Sequence, residues 1–283
     1  MNGTRAKKKG NFFKKLVLTL LMIYLFLPVF ATFLYSISTR WESTILPTGI
    51  TFERYVSIFE NVRFLEAIGR SLLVSSITIV LSLIIVIPTV FIIVTYFPKF
   101  ERFMQILALL PFAFPPIVVS VGLINVYSSG PIVITGTIWI LIGAYFVLII
   151  PFMYQGIRNS LRTVNAIDLM EAAEMLGASK LRAFFSIIVP NILPGIMISG
   201  LLSFAVLLGE FVYVNIMVGG RFETIQIYVY SMMTTNGHMT SVMITLLFVL
   251  LFALSGIIVK LGKGQPGSNA NVNAVGNVWE EEK

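Results

Sequence analysis

The sequence predicts an all-α membrane protein, a polytopic bundle of about six transmembrane helices, and three observations carry that expectation. Of its 283 residues, 57% are hydrophobic and only 12% are charged, a balance that no water-soluble domain of this size requires. Apolar windows of about 20 residues recur, each long enough to cross ~30 Å of hydrocarbon at about 1.5 Å per residue. The windows are also continuously apolar, whereas the strands of a membrane barrel alternate apolar and polar residues over about 10 positions. Lipid offers no partner to backbone N–H and C=O groups, so each window is expected to be a helix.

The first window covers residues 16–37. Lys7, Lys8, Lys9, Lys14 and Lys15 precede it, as in a secretory signal. Its apolar run exceeds the usual stretch of about 7–15 residues, however, and no small-residue cleavage pattern follows before Arg40 and Trp41, so it is expected to be retained. The second window, 72–96, follows Ser71 and places Ser75, Thr78 and Ser82 on the same face, where small hydroxyl side chains act as glue between helices. The third, 103–127, holds Pro111, Pro115 and Pro116. Proline removes a backbone donor and breaks or kinks a helix, and lipid tolerates this only where neighbours or a water-filled cavity satisfy the freed carbonyls. A pore-lining hinge and a packing kink both fit, and the hinge is preferred.

The fourth, fifth and sixth windows are 132–152, 192–211 and 240–261. In the fifth, Gly195, Ser199, Ser203 and Glu210 fall within about 80° of one another at 100° per residue. That stripe reads either as a solute path with Glu210 near its outer mouth or as close helix packing through small residues; a carboxylate at the edge of a span needs a wet or paired site, which favours the path. His238, the sole histidine, is expected to be a solvated loop residue, since no second ligand lies at metal-binding spacing.

The absence of cysteine excludes disulfides, thiolate metal sites and cysteine nucleophiles. A pI near 9.6 could suggest nucleic acid, but the basic residues cluster between spans, where membrane topology accounts for them. With a cytoplasmic amino terminus, the inside segments carry 15 of the 20 basic residues, Lys99, Arg102, Arg158, Arg162, Lys180, Arg182 and Lys260 among them. Arg40, Arg54, Arg63, Arg70 and Arg221 fall outside, the first four interleaved with Glu42, Glu53, Glu60 and Glu66. The expectation is therefore both termini in the cytoplasm of a bacterial-type cell membrane. Residues 1–15 form a basic amino terminus, 16–262 a single membrane domain, and 263–283 a disordered tail rich in Gly, Asn and Val.

Between the fourth and fifth spans, residues 158–190 are too polar to cross a bilayer yet helical in pattern. Leu169, Ala172, Ala173 and Leu176 recur at i, i+3, i+4 and i+7, giving a small apolar face. Asp168 and Glu171 have the spacing of a capping box, and Gly177 supplies a left-handed stop. A ridge narrowed by alanines suits insertion into a groove of another protein; an amphipathic helix on the lipid surface, or one packed on its own bundle, is the competing reading.

This segment resembles the EAA loop of binding-protein-dependent ABC importer permeases, whose pattern is EAA, three residues, Gly, nine residues, then I-x-L-P. Glu171, Ala172, Ala173, Gly177, Ile187 and Pro190 match in register, and Val189 stands where Leu is usual. One amino-terminal helix plus a five-helix core is also the arrangement such permeases share. The resemblance implies that the 171–177 element docks into a cleft of a separate ATPase subunit, and that two ATPases drive two permeases, identical or homologous, between inward-open and outward-open states. An external solute-binding protein would deliver the cargo. ATP and Mg would sit on the partner ATPase, with no cofactor on this chain and no enzymatic activity of its own; in keeping with this, no GxxxxGK[ST] phosphate loop is present.

The stretches WESTILPTGITFERY, beginning at Trp41, and LGEFVYVNIMVGG, around Glu210, resemble the spermidine and putrescine branch of these permeases. A polyamine is thus the leading solute, with aminoethylphosphonate, iron or sugar as alternatives. Glu210, Ser199, Ser203, Pro115 and Pro116 are the candidate path residues. An ion-coupled carrier would normally place ionisable groups deep in a span, and none is found at mid-span. An intramembrane protease would need a GxSG serine with a membrane histidine, or HExxH, and the chain has neither.

Overall fold

The computed structural model describes residues 3–41 and 47–262, with side chains from residue 14 onward. The tail at 263–283, part of the 41–55 stretch and the side chains of Lys7, Lys8 and Lys9 lie outside that set. The fold is all-α, with no β-strand among the described residues. In chain order the helices are α1 Gly3–Ile37, α2 Glu53–Glu60, α3 Val62–Tyr96, α4 Glu101–Leu109, α5 Pro116–Tyr127, α6 Ile138–Thr163, α7 Ala166–Met175, α8 Lys180–Ala183, α9 Val189–Leu208, α10 Val212–Met217, α11 Ile225–Met233 and α12 Gly237–Gly262. Among the described residues, five continuous helical runs are long and apolar enough to span a membrane, and the bent pair Pro98–Ala113 with Pro116–Tyr127 brings the number to six if it counts as one span.

The helices holding the first and second expected spans begin earlier, at Gly3 and Val62 rather than at 16 and 72, and the third, fourth and fifth spans differ in their path. The third is broken by 95° between Ala113 and Pro116. Phe114 and Pro115 are extended there, and the Pro115 carbonyl accepts from the N–H groups of Val118 and Val119. Three prolines within six positions, each lacking a donor, account for the break. The fourth span begins at Ile138, because Gly130 (φ +100°) and Gly136 (φ +75°) turn the apolar segment 132–137 into a loop; it then continues beyond Phe152 to Thr163. The fifth begins as early as Lys180 and passes through a π-helical turn, Phe184–Ile188. That turn directly precedes Pro190, which lacks the N–H an α-helical ladder would require, and a widened turn accommodates the gap.

Two contact units make up the chain. In the first, Met1–Phe64 with Val229–Leu250, the end of α1 is tied down by polar contacts. Ser38 bridges Ile50, the Arg54 guanidinium donates to the Ser38 and Thr39 carbonyls, and Ser36 bonds the Tyr55 hydroxyl at 2.6 Å. His238 is not a solvated loop residue: it lies in the first turn of α12, half-buried, stacked on Tyr35 at 4.2 Å with Nδ1 3.0 Å from the Tyr35 carbonyl.

In the second unit, Leu65–Tyr228 with the chain from Leu251, α6 and α9 form the most extensive helix pair. A Cβ at Gly156 would lie 2.5 Å from Ser199 Cβ, so the two backbones approach as only glycine permits. Ile149, Met153, Ile157 and Leu161 of α6 and Ile192 of α9 fill the core beside this contact. Ser71, Ser75, Thr78 and Ser82 are all buried along α3, as small residues between helices should be.

Candidate functional site

Helix α7 is positioned by the end of α6. Asn165, at φ +51°, reverses the chain between the two helices, and its side-chain amide donates to Asp168. The helix therefore starts at Ala166, and the expected capping box is not formed: Asn165 occupies the N-cap, and Asp168 and Glu171 lie inside the helix. Ala166, Met170 and Ala173 face the bundle, with Leu169 half-buried, while Glu171 and Ala172 are exposed. The predicted face is thus split, with Ala173 inward and Leu176 outward.

The far end of α7 forms as the glycine predicts. Gly177 sits at φ +82°, its N–H donates to the Glu174 carbonyl at 2.9 Å, and the Ala178 N–H donates to the Ala173 carbonyl at 3.0 Å. This pair of bonds is the Schellman arrangement, which requires a left-handed residue at Gly177. Its consequence is an unusual surface: Met175 and Leu176 are each 89% exposed at the tip of the helix. Two large apolar side chains are thus held out of the bundle on a capped helix end. Ile187 is half-buried in the π-helical turn, and Pro190 is exposed in the first turn of α9.

An ion cluster that hydropathy and motif reading missed braces the base of this projection. Glu101, at the start of α4, accepts from Arg158 Nε at 2.5 Å and from Arg162 Nη2 at 2.8 Å, and Tyr154 donates its hydroxyl to the Glu101 carbonyl at 3.3 Å. The Glu101 and Arg158 side chains are only 10% and 14% exposed. Arg158 and Arg162, one turn apart on α6, thus act as a two-pronged clamp on α4, just before the turn into α7. Their i, i+4 spacing was visible in the sequence; the remote glutamate was not.

At the other end of α9, about 30 Å away at 1.5 Å per residue, Glu210 occupies the break before α10. Its Oε1 accepts the Tyr213 N–H at 3.1 Å, and among the described residues no lysine or arginine pairs with it. Together with Tyr145, Ser71, Ser75, Thr224 and Gln226, and with the apolar Val74, Leu207 and Leu208, it lines a closed cleft with no room for a water molecule. Ser71 accepts the Ile225 N–H and Gln226 donates to the Leu208 carbonyl, whereas the buried Thr224 hydroxyl has no partner. Ser199 and Ser203 do not open onto this pocket. They are buried, their hydroxyls bonded back to the Gly195, Ile196 and Ser199 carbonyls, and Ser199 packs against Gly156. Pro115 is exposed and Pro116 half-buried at the broken span.

A multi-pass helical bundle with a broken span, a half-buried carboxylate at the end of α9 and a short capped helix with an apolar tip defines a polytopic membrane protein. The chain belongs to the family of binding-protein-dependent transport system inner membrane components, whose model matches residues 73–261. Among its relatives is the Salmonella typhimurium protein PhnV, named as a permease of a 2-aminoethylphosphonate transport system; it is 26% identical over 250 residues, 86% of this chain and 93% of that protein. Another is the spermidine/putrescine transport system permease protein PotB of Haemophilus influenzae, 28% identical over 231 residues, 75% of this chain and 79% of that one. The fold is shared with a bacterial ABC transporter involved in the import of the acidic polysaccharide alginate, at a TM-score of 0.67 and 15% identity over 90% of this chain and 97% of that one.

Proposed function

We propose that this chain is one permease subunit of an ATP-driven importer, coupled to a separate ATPase through α7 and carrying a small amine-bearing solute toward the cytoplasm. The observation that carries the proposal is the α7 tip: an EAA-pattern helix, locked by the Gly177 turn, that holds Met175 and Leu176 out of the bundle. Glu171, Ala172 and Ala173 through Gly177 form the docking element. Ile187 and Pro190 set the return into α9, while the Glu101 clamp makes α7 move with α4 and α6. ATP and Mg are handled by the partner ATPase dimer. A second permease subunit or second copy completes the membrane unit, and a solute-binding protein delivers cargo from the far side. In this reading α7 and both termini are cytoplasmic, as the distribution of basic residues favours.

A polyamine is the preferred solute. Glu210 has no cationic partner among the described residues and shares a cleft, closed in this conformation, with Tyr145, Ser75 and Thr224, a set that suits a primary ammonium group once the cleft opens. Aminoethylphosphonate, which also carries an ammonium, is the second reading, favoured by the extent of the match to PhnV. Ser199 and Ser203 serve close packing in this conformation, and the break at Pro115 and Pro116 supplies the hinge. The test is uptake by the reconstituted transporter supplied with ATP: radiolabelled spermidine is carried, and Glu210→Gln reduces its uptake at least ten-fold while assembly is retained. Uptake driven by an ion gradient without ATP would overturn the importer assignment.

A further inference from the structure

An apolar groove unconnected with the docking tip or the Glu210 pocket lies between the end of α3 and the segment from α8 into the π-helical turn. Its volume is about 520 Å³, within the range of ligand-binding pockets. Phe91 and Phe184, their ring centroids 4.7 Å apart and tilted by 45°, form its buried floor. Ile92, Tyr96, Leu181 and Phe185 form walls that are 45%, 39%, 73% and 66% exposed. The π-helical turn begins at Phe184 and Phe185, whose rings meet edge to face at 4.9 Å, a distortion frequent at functional sites.

One cation stands at the lip. Lys180 Nζ lies 5.0 Å from the centroid of the Tyr96 ring, and among the described residues no carboxylate lies within ion-pair distance of it. The depth of the groove is fixed by the sequence. From Ser71 to Tyr96 the chain has no charged residue, and Lys99 follows just beyond, so the aromatic wall at Tyr96 marks the boundary between acyl chains and headgroups. An occupant must therefore be apolar toward Phe91, anionic toward Lys180, and resident at that boundary.

We infer that the groove holds one acyl chain of an anionic phospholipid, with its phosphate paired to Lys180. A lipid here lies against the segment that returns from α7 into α9, so its occupancy bears on the stiffness of the docking element. A protein segment from a partner subunit is the competing occupant, and the test separates the two.

The complete transporter is reconstituted in phosphatidylcholine vesicles containing a minor fraction of phosphatidylglycerol with a photoreactive group at the end of one acyl chain, and labelled peptides are mapped; a phosphatidylcholine carrying the same group is the comparison. The glycerol lipid labels 88–97 and 180–185 about five-fold more than the choline lipid, the ratio one basic residue contributes toward an anionic surface. Lys180→Gln abolishes the preference and Lys180→Arg retains it. Equal labelling by the two lipids, a preference that survives Lys180→Gln, or labelling seen only when the ATPase is stripped away would overturn the inference, the last by showing that a protein covers the groove.

Discussion

Replacing Gly177 by valine isolates the docking geometry from everything else in the fold. A Cβ at this position would meet no heavy atom within 4 Å, so the substitution creates no clash, no cavity and no new buried group. What it changes is the backbone: Gly177 holds φ +82°, where an L-residue with a Cβ costs about 1–2 kcal/mol and a β-branched one stands at the upper end. An energy of about 1–2 kcal/mol is a factor of about 5–30 between the native helix end and alternatives in which the Ala178 to Ala173 bond is lost. The α7 residues in the core, Ala166, Met170 and Ala173, all precede Gly177, which is itself exposed, so expression and assembly should match wild type. In proteoliposomes of the complete transporter, solute moved per ATP hydrolysed should fall by roughly that factor of 5–30. Gly177→Asn should recover most of it, because asparagine enters the left-handed region readily. Normal coupling in the valine variant, or equal loss with valine and asparagine, would refute the argument that the left-handed turn transmits force.

Other perturbations follow from single contacts. Gly156→Ala would place a Cβ 2.5 Å from Ser199 Cβ and should destabilise the α6–α9 pair by about 1–3 kcal/mol, with Ser199→Gly in the same chain restoring part of the loss; melting of the detergent-solubilised complex reads both. Glu101→Ala leaves the mostly buried Arg158 without its partner and should cost about 3–5 kcal/mol, visible as a lowered melting temperature and poor yield, while Arg162→Ala, at a side chain 55% exposed, should cost under about 1 kcal/mol. His238→Ala removes the ring stack on Tyr35 and should lower stability by about 0.5–1.5 kcal/mol with solute affinity unchanged.

Most of the membrane architecture was legible because long apolar runs report helices directly, and the positions of the EAA pattern lie where a short helix and a left-handed stop are found. What the sequence hid had local causes. The fourth span was placed six residues early because isoleucine and valine at 132–134 count as membrane residues by hydropathy, although two positive-φ glycines hold that segment in a loop. The capping-box spacing at Asp168 and Glu171 carries no information on tertiary contacts: Asn165 takes the cap three residues earlier, and packing against the bundle leaves Ala172 and Leu176 outward. Glu101 could not be matched to Arg158 and Arg162 because 57 and 61 residues separate them, and only tertiary packing brings them together. The serine stripe of α9 met the hydrophobic-period test equally for a path and for a packing face; the missing Cβ of Gly156 on the opposing helix is what turns it inward.

Site-directed crosslinking from the exposed face of α7 asks whether that helix meets the ATP-hydrolysing subunit. The chain has no cysteine, so a single Ala172→Cys provides one reactive position on that face. In membrane vesicles bearing the complete transporter, that cysteine should crosslink to the ATP-hydrolysing subunit and should be labelled by a membrane-impermeant maleimide only from the ATPase side. Labelling from the opposite side, or efficient crosslinking with no product containing the ATPase, would contradict that contact.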